Sequence, residues 1–166
     1  MKKMLIALLL AALALGTAAL AENVGIANPW AESTAEAIEA ALGVPFGVPD
    51  DAENVSYRLL EDDNLAEMEF TWYGMDYCAR MQPAAEFTDI SGLYYETWDT
   101  SMDDEVGGCS AIDLRTRDGD MTVDLCLWYD ADMGLMYSLT TGGPDLDGFD
   151  ILAAAQIVHA PALASE

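Results

Sequence analysis

SAIDLRTRDGDMTVDLCL, residues 110–127, alternates apolar and polar residues on either side of an Asp118-Gly119 pair. Such a pair supplies the positive φ values of a tight reversal, so the stretch reads as a β-hairpin. With Arg117 opposite Asp120, Leu114 faces Val123, Ile112 faces Leu125 and Ser110 faces Leu127, and apolar side chains meet on one face. An antiparallel sheet is therefore the frame into which the rest of the chain must fit.

Upstream, Val55, Tyr57 and Leu59, then Ala66, Met68, Phe70 and Trp72, then Tyr77, Ala79 and Met81 repeat with period two and predict three strands in a meander. Leu93 to Asp99 reads as an aromatic-rich fourth strand and Asp103-Asp104-Glu105 as an acidic turn. Downstream, Leu135, Tyr137 and Leu139 give a last strand. Two helices flank the strands. Ser33-Thr34-Ala35-Glu36 fits a capping box, Ala35, Ile38 and Leu42 share a face, and Gly43 stands where a left-handed C-cap belongs, which predicts a helix over 34–42. Leu152, Ala155 and Val158 predict a second over about 146–158. The fold class is α+β: a curved antiparallel meander sheet of six to seven strands, with an N-terminal and a C-terminal helix packed on one face.

The chain has 166 residues. Lys2 and Lys3, the apolar run Met4 to Leu15 and the small residues Gly16 to Ala21 have the layout of a secretory signal, with Ala19-Leu20-Ala21 as the cleavage pattern. The apolar run is shorter than the roughly 20 residues a spanning helix needs. Residues 1–21 are therefore expected to be removed, leaving one domain over 22–166 with an ordered core of about 29–159. No transmembrane segment is expected after cleavage, and the protein is expected to work outside the cytoplasm, secreted or in the cell envelope.

The net charge is −24. Both lysines lie in the leader, so Arg58, Arg80, Arg115 and Arg117 stand alone against 30 acidic residues. Nucleic acid is excluded as a partner, because its binding depends on clustered cations releasing phosphate counterions. A basic protein or a carbohydrate is the expected kind of partner, and the domain is expected to be a monomer.

Hydrolase and nucleotide motifs do not occur. His159 is the one histidine and, at a helix end, reads as structural. Asp145, Asp147 and Asp150 imitate a calcium loop, but Gln156 stands where its last carboxylate should be, so capping is the better role. Cys78, Cys109 and Cys126 have no metal-ligand spacing, and neither a metal nor another cofactor is expected. In the hairpin register Cys109 and Cys126 share a face diagonally, which makes them the pair if a disulfide forms. The ligand-binding candidates are aromatic: Trp128 shares its face with Cys126 and Asp124, and Trp98 with Tyr94 and Glu96. If the helices cover only the Ile112/Leu125 face, these side chains form an exposed platform; if both faces are covered, they are core.

Ser33-Thr-Ala-Glu-Ala-Ile-Glu-Ala-Ala-Leu-Gly43 with its proline-bearing linker, Leu65-Ala-Glu-Met-Glu-Phe-Thr71, Asp89-Ile-Ser-Gly92 and Leu135-Met-Tyr-Ser-Leu139 resemble a Firmicutes extracytoplasmic domain of unknown function. That domain occurs alone behind a signal peptide or at the C-terminus of anti-sigma-factor-like membrane proteins. The resemblance implies a curved antiparallel sheet with helices and brings no catalytic residues. The expected function is non-catalytic binding of a ligand or protein; the alternative is a small secreted hydrolase with a carboxylate-based site. Intact-mass measurement of exported protein should give a chain beginning at Glu22, and material retaining Met1 to Ala21 would overturn the leader.

Overall fold

The structure, a computed structural model, describes residues 29–159. The expected leader and the chain up to residue 28 lie outside the described residues. Eight strands form one antiparallel sheet: β1 (Ala31–Ser33), β2 (Glu53–Leu60), β3 (Leu65–Trp72), β4 (Met75–Pro83), β5 (Thr100–Val106), β6 (Cys109–Asp118), β7 (Met121–Asp130) and β8 (Leu135–Gly143). Their order, β1-β2-β3-β4-β8-β7-β6-β5, joins two four-strand meanders through the β4–β8 pair. The α+β class and the antiparallel sheet are as expected, but the strands among the described residues number eight, not six to seven.

Two strands escaped the sequence reading. β1 has three residues and none is buried, and β5 consists almost wholly of exposed residues, with only Val106 buried. The acids at 103–105 therefore lie within a strand and not in a turn. Like charge on an outermost strand discourages pairing with further copies of the same acidic chain, and a strand exposed on both sides needs no apolar alternation. Leu93 to Asp99 is not a strand. It belongs to the loop 84–99, which carries the chain from β4 to the far edge, about 19 Å at ~4.8 Å per strand. Its apolar side chains pack downward: Ile90, Leu93 and Trp98 meet Leu125, Leu127 and Met136 in a second core cluster.

The hairpin register is also displaced. Asp118 pairs with Met121, Leu114 with Leu125 and Ile112 with Leu127, so the reversal is Gly119-Asp120, with Gly119 at φ 62°. A glycine at the first central position is the requirement of a II′ turn, which competes with the I′ turn assumed for Asp-Gly. A shift of two residues keeps every side chain on its face, so the apolar pattern could not reveal it.

The first helix, α1 (Ala35–Leu42), is capped by Thr34, whose hydroxyl accepts the Ala37 N–H at 3.2 Å, and ends on Gly43 at φ 86°. The second, α2 (Leu152–Val158), is shorter than expected, and residues 146–151 form turns instead. Ile38 of α1 and Ala154, Ala155 and Val158 of α2 join one core cluster with Met68, Ala79, Cys126, Trp128 and Leu139. The helices thus cover the Trp128 face, the reverse of what the platform required. The opposite, Leu125 face lies under the loop 84–99.

Charged side chains fasten these layers. Glu67 is 2% exposed and lies between Arg58 and Arg80 on the neighbouring strands, bonded to Arg58 and, at 2.9 Å, to Arg80. Arg80 also donates to the carbonyls of Ile90 and Ser91, at 3.2 and 2.6 Å, pinning the loop. The Trp30 ring lies over both guanidinium groups, 5.7 and 5.5 Å away. Replacing Glu67 removes the buried carboxylate that two partly buried arginines share, whereas exposed pairs contribute little. Glu67→Gln should lower unfolding free energy in urea by about 2–4 kcal/mol, and Glu69→Gln, on the exposed partner of Arg58, by less than about 1 kcal/mol. Equal losses would contradict this account.

Candidate functional site

Trp128 is fully buried and stacked on Tyr137 with ring centres 5.0 Å apart. Asp124 is fully buried too, gripped by the Arg115 fork, with Nη2 2.7 Å from Oδ2. Trp98 is half-buried, edge-on to Tyr95 at 5.1 Å. The structure does not bring these residues together. Trp98 sits in the loop on one face and Trp128 in the core of the other, so the aromatic platform built on Trp128 and Asp124 is overturned by the second cover.

The disulfide also falls to the register. Cys78, Cys109 and Cys126 are free. Cys126 pairs with Asp113, four residues along β6 from Cys109, or about 13 Å, beyond the ~7 Å limit for a bridge.

Two other groupings carry chemistry. The first is a cleft of about 350 Å³ where the approach to α2 crosses β5 and β6 on the helix-covered face, lined by Thr100, Met102, Asp104, Asp113, Phe149 and Asp150 among others. Asp113 is 8% exposed, and its Oδ1 is sealed from solvent without a hydrogen-bond partner. Burial and the charge of Asp124 push its carboxyl above the usual range; Arg115 opposes them, while Asp150 and Asp104 add to the rise. Arg115 gives little relief because it is committed to Asp124 and to the Phe149 carbonyl, 3.0 Å away. A larger concavity, about 520 Å³, opens on the other face beside Glu69, Asp76 and Tyr95. Its acids are already engaged, Glu69 by Arg58 and Asp76 by the Thr71 hydroxyl, at 2.7 Å each.

The second grouping is Cys109, Asp130 and His159, whose donor atoms all lie within 4.8 Å of one another. Sequence spacing hid it because its members come from the start of β6, the end of β7 and the C-terminal cap of α2. Only the true register, continued past Ala111–Trp128, sets Cys109 against Asp130. His159 Nδ1 accepts the Trp128 indole N–H at 2.9 Å, so the neutral ring carries its proton on Nε2. Burial lowers the His159 pKa, against the pull of Asp130, and burial raises that of Cys109, helped by Asp130, Asp132 and Glu105. Both shifts oppose a thiolate–imidazolium pair. The aspartates of the calcium look-alike serve turns: Asp145 accepts the Asp147 N–H and Asp150 the Leu152 N–H, both at 2.9 Å.

Searches against family models, curated proteins and solved structures find no match for this chain.

Burial pushes the Cys78 thiol up to about 12 and that of Cys126 higher still. Native alkylation near pH 8 should therefore label Cys109 first, and Cys126 only on unfolding. The unreduced protein should show three free thiols by mass, and a peptide bridging any two of them would contradict the structure.

Proposed function

We propose that the protein is an exported, non-catalytic acidic domain that binds an extended basic segment of a partner protein along its β5 edge. The observation that carries this reading is the buried, hydrogen-bond-free Oδ1 of Asp113 in the cleft beside that edge. Leaving a buried carboxylate oxygen unpaired costs about 1–3 kcal/mol. A lysine or arginine entering the cleft would set a cation beside the Asp113 carboxyl, and a small opening of the cleft wall would let it make the charge-assisted bond that Arg115 cannot.

β5 ends the sheet order, so among the described residues its outer side faces no further strand; Glu105 bonds the Asp104 carboxylate and Gln156 there, which leaves the stretch before it for strand addition. Asp103, Asp104 and Glu105 lie along it exposed, which favours a cationic strand and disfavours a second copy of this acidic chain. Export rests on the leader pattern, and the resemblance to solitary extracytoplasmic domains accords with it. Carbohydrate is the weaker ligand, because of the two tryptophans expected to stack on it Trp128 is buried and Trp98 is half-buried.

A fluorescent peptide alternating lysine with threonine should bind in low salt and weaken as salt rises. Asp113→Asn should lower its affinity about tenfold, consistent with loss of one charged hydrogen bond, whereas Asp120→Asn at the exposed hairpin tip should not. The same Asp113→Asn change should raise the melting temperature at pH 7, since it removes a buried charge. The folded-state pKa of Asp113 is raised, so its destabilising contribution fades as pH falls toward its unfolded value, and the gain from Asp113→Asn should fade with it. Equal peptide affinity in Asp113→Asn and Asp120→Asn would overturn the cleft as the site.

A further inference from the structure

We propose that Cys109, Asp130 and His159 form a binding site for a divalent transition-metal ion of the zinc class. The proposal is independent of the peptide-binding reading and rests on different side chains.

The donor set is one thiol, one carboxylate and one imidazole, which suits zinc and its neighbours rather than calcium or magnesium. His159 Nε2 and Asp130 Oδ2 are 3.8 Å apart. Tetrahedral zinc, with bonds of about 2.0–2.2 Å, needs N···O near 3.4 Å. A contraction of well under an ångström therefore completes that pair. Asp130 is 8% exposed, while Cys109 and His159 are half-buried. A cleft of about 410 Å³ opens beside the group, with Cys109 and Asp130 in its wall, and a water would be the fourth ligand.

The donors are also oriented by their surroundings, as metal ligands need to be. Asp130 Oδ1 accepts the backbone N–H groups of Asp132 and Met133, both at 3.0 Å, which turns Oδ2 toward His159. Gln156, one turn before His159, accepts the Gly107 N–H at 3.0 Å and donates to the Glu105 carbonyl at 2.8 Å, fixing the end of α2 on the β5–β6 turn. A Cβ at Gly107 would stand 2.2 Å from His159 Cδ2, so glycine there makes room for the ring.

Metal uptake changes one hydrogen bond. The ion takes the place of the proton on His159 Nε2, the neutral ring then carries its proton on Nδ1, and that N–H cannot accept from Trp128. Metal binding and the Trp128–His159 hydrogen bond are mutually exclusive. The Cys109 thiol gives its proton to solvent as the metal–sulfur bond forms, so charge and atoms balance with no further reactant.

The test is cobalt titration of the full reduced protein after chelator treatment. Cobalt should give the intense visible bands of tetrahedral coordination, a thiolate-to-cobalt charge-transfer band and a change in tryptophan emission, and zinc should displace it and raise the melting temperature. Cys109→Ser should abolish the charge-transfer band and weaken binding at least tenfold, while Cys78→Ser should leave both unchanged. Trp128→Phe, which removes the competing donor, should bind at least as tightly as the parent. Absence of the charge-transfer band, its persistence in Cys109→Ser, or its loss in Cys78→Ser would each overturn the site.

Discussion

Glu67 and Asp124 lie on opposite faces of the sheet, each nearly or fully out of water and each held by arginine. The remaining architecture depends on these ion clusters, because the same arginines reach past their carboxylates to the covering layers. Arg80 bonds the loop carbonyls of Ile90 and Ser91, and Arg115 bonds the carbonyl of Phe149 on the approach to α2. A bidentate guanidinium has donors to spare for a second partner, which an ammonium lacks in that geometry. With 30 acids and four arginines in the region after the leader, committing Arg58, Arg80 and Arg115 inside leaves Arg117 as the exposed cation. The strongly negative surface follows directly from where the arginines went.

Much of this was legible in period alone. The meander β2–β4, the hairpin β6–β7, the strand β8 and the helix α1 each carry their own local signal: alternation, a glycine at positive φ, or caps at both ends. What was not legible is information that local sequence does not hold. A two-residue slip leaves facial alternation intact, so Leu114 looked equally well matched to Val123 or Leu125. The aromatic run 93–99 has strand composition, yet it packs one-sidedly as a cover. The acid run 103–105 has turn composition, yet it needs no burial at an edge.

The same slip decided the candidate sites. In the assumed register Cys109 lay diagonal to Cys126 and a disulfide was within reach. In the true one Cys109 moves beside Asp130, and the thiol joins an imidazole delivered by a residue far along the chain. Trp128 and Asp124 drop out of the expected platform for a different reason. Nothing in residues 84–99 announces that they cross the sheet, and once they do, the helices must take the other face, which buries Trp128 and Asp124. Asp113 then keeps its place in β6 but loses its water.

Helix α2 connects these consequences. At seven residues it is too short to be helical on its own in water, so its position comes from docking. Its start is tied to Arg115 through Phe149, and its end to the β5–β6 turn through Gln156 and to Trp128 through His159. The acidic cleft lies at the first of these ends and the Cys109–Asp130–His159 group at the second. The same docked helix therefore carries both features, each at the end where a side-chain hydrogen bond holds it to the sheet.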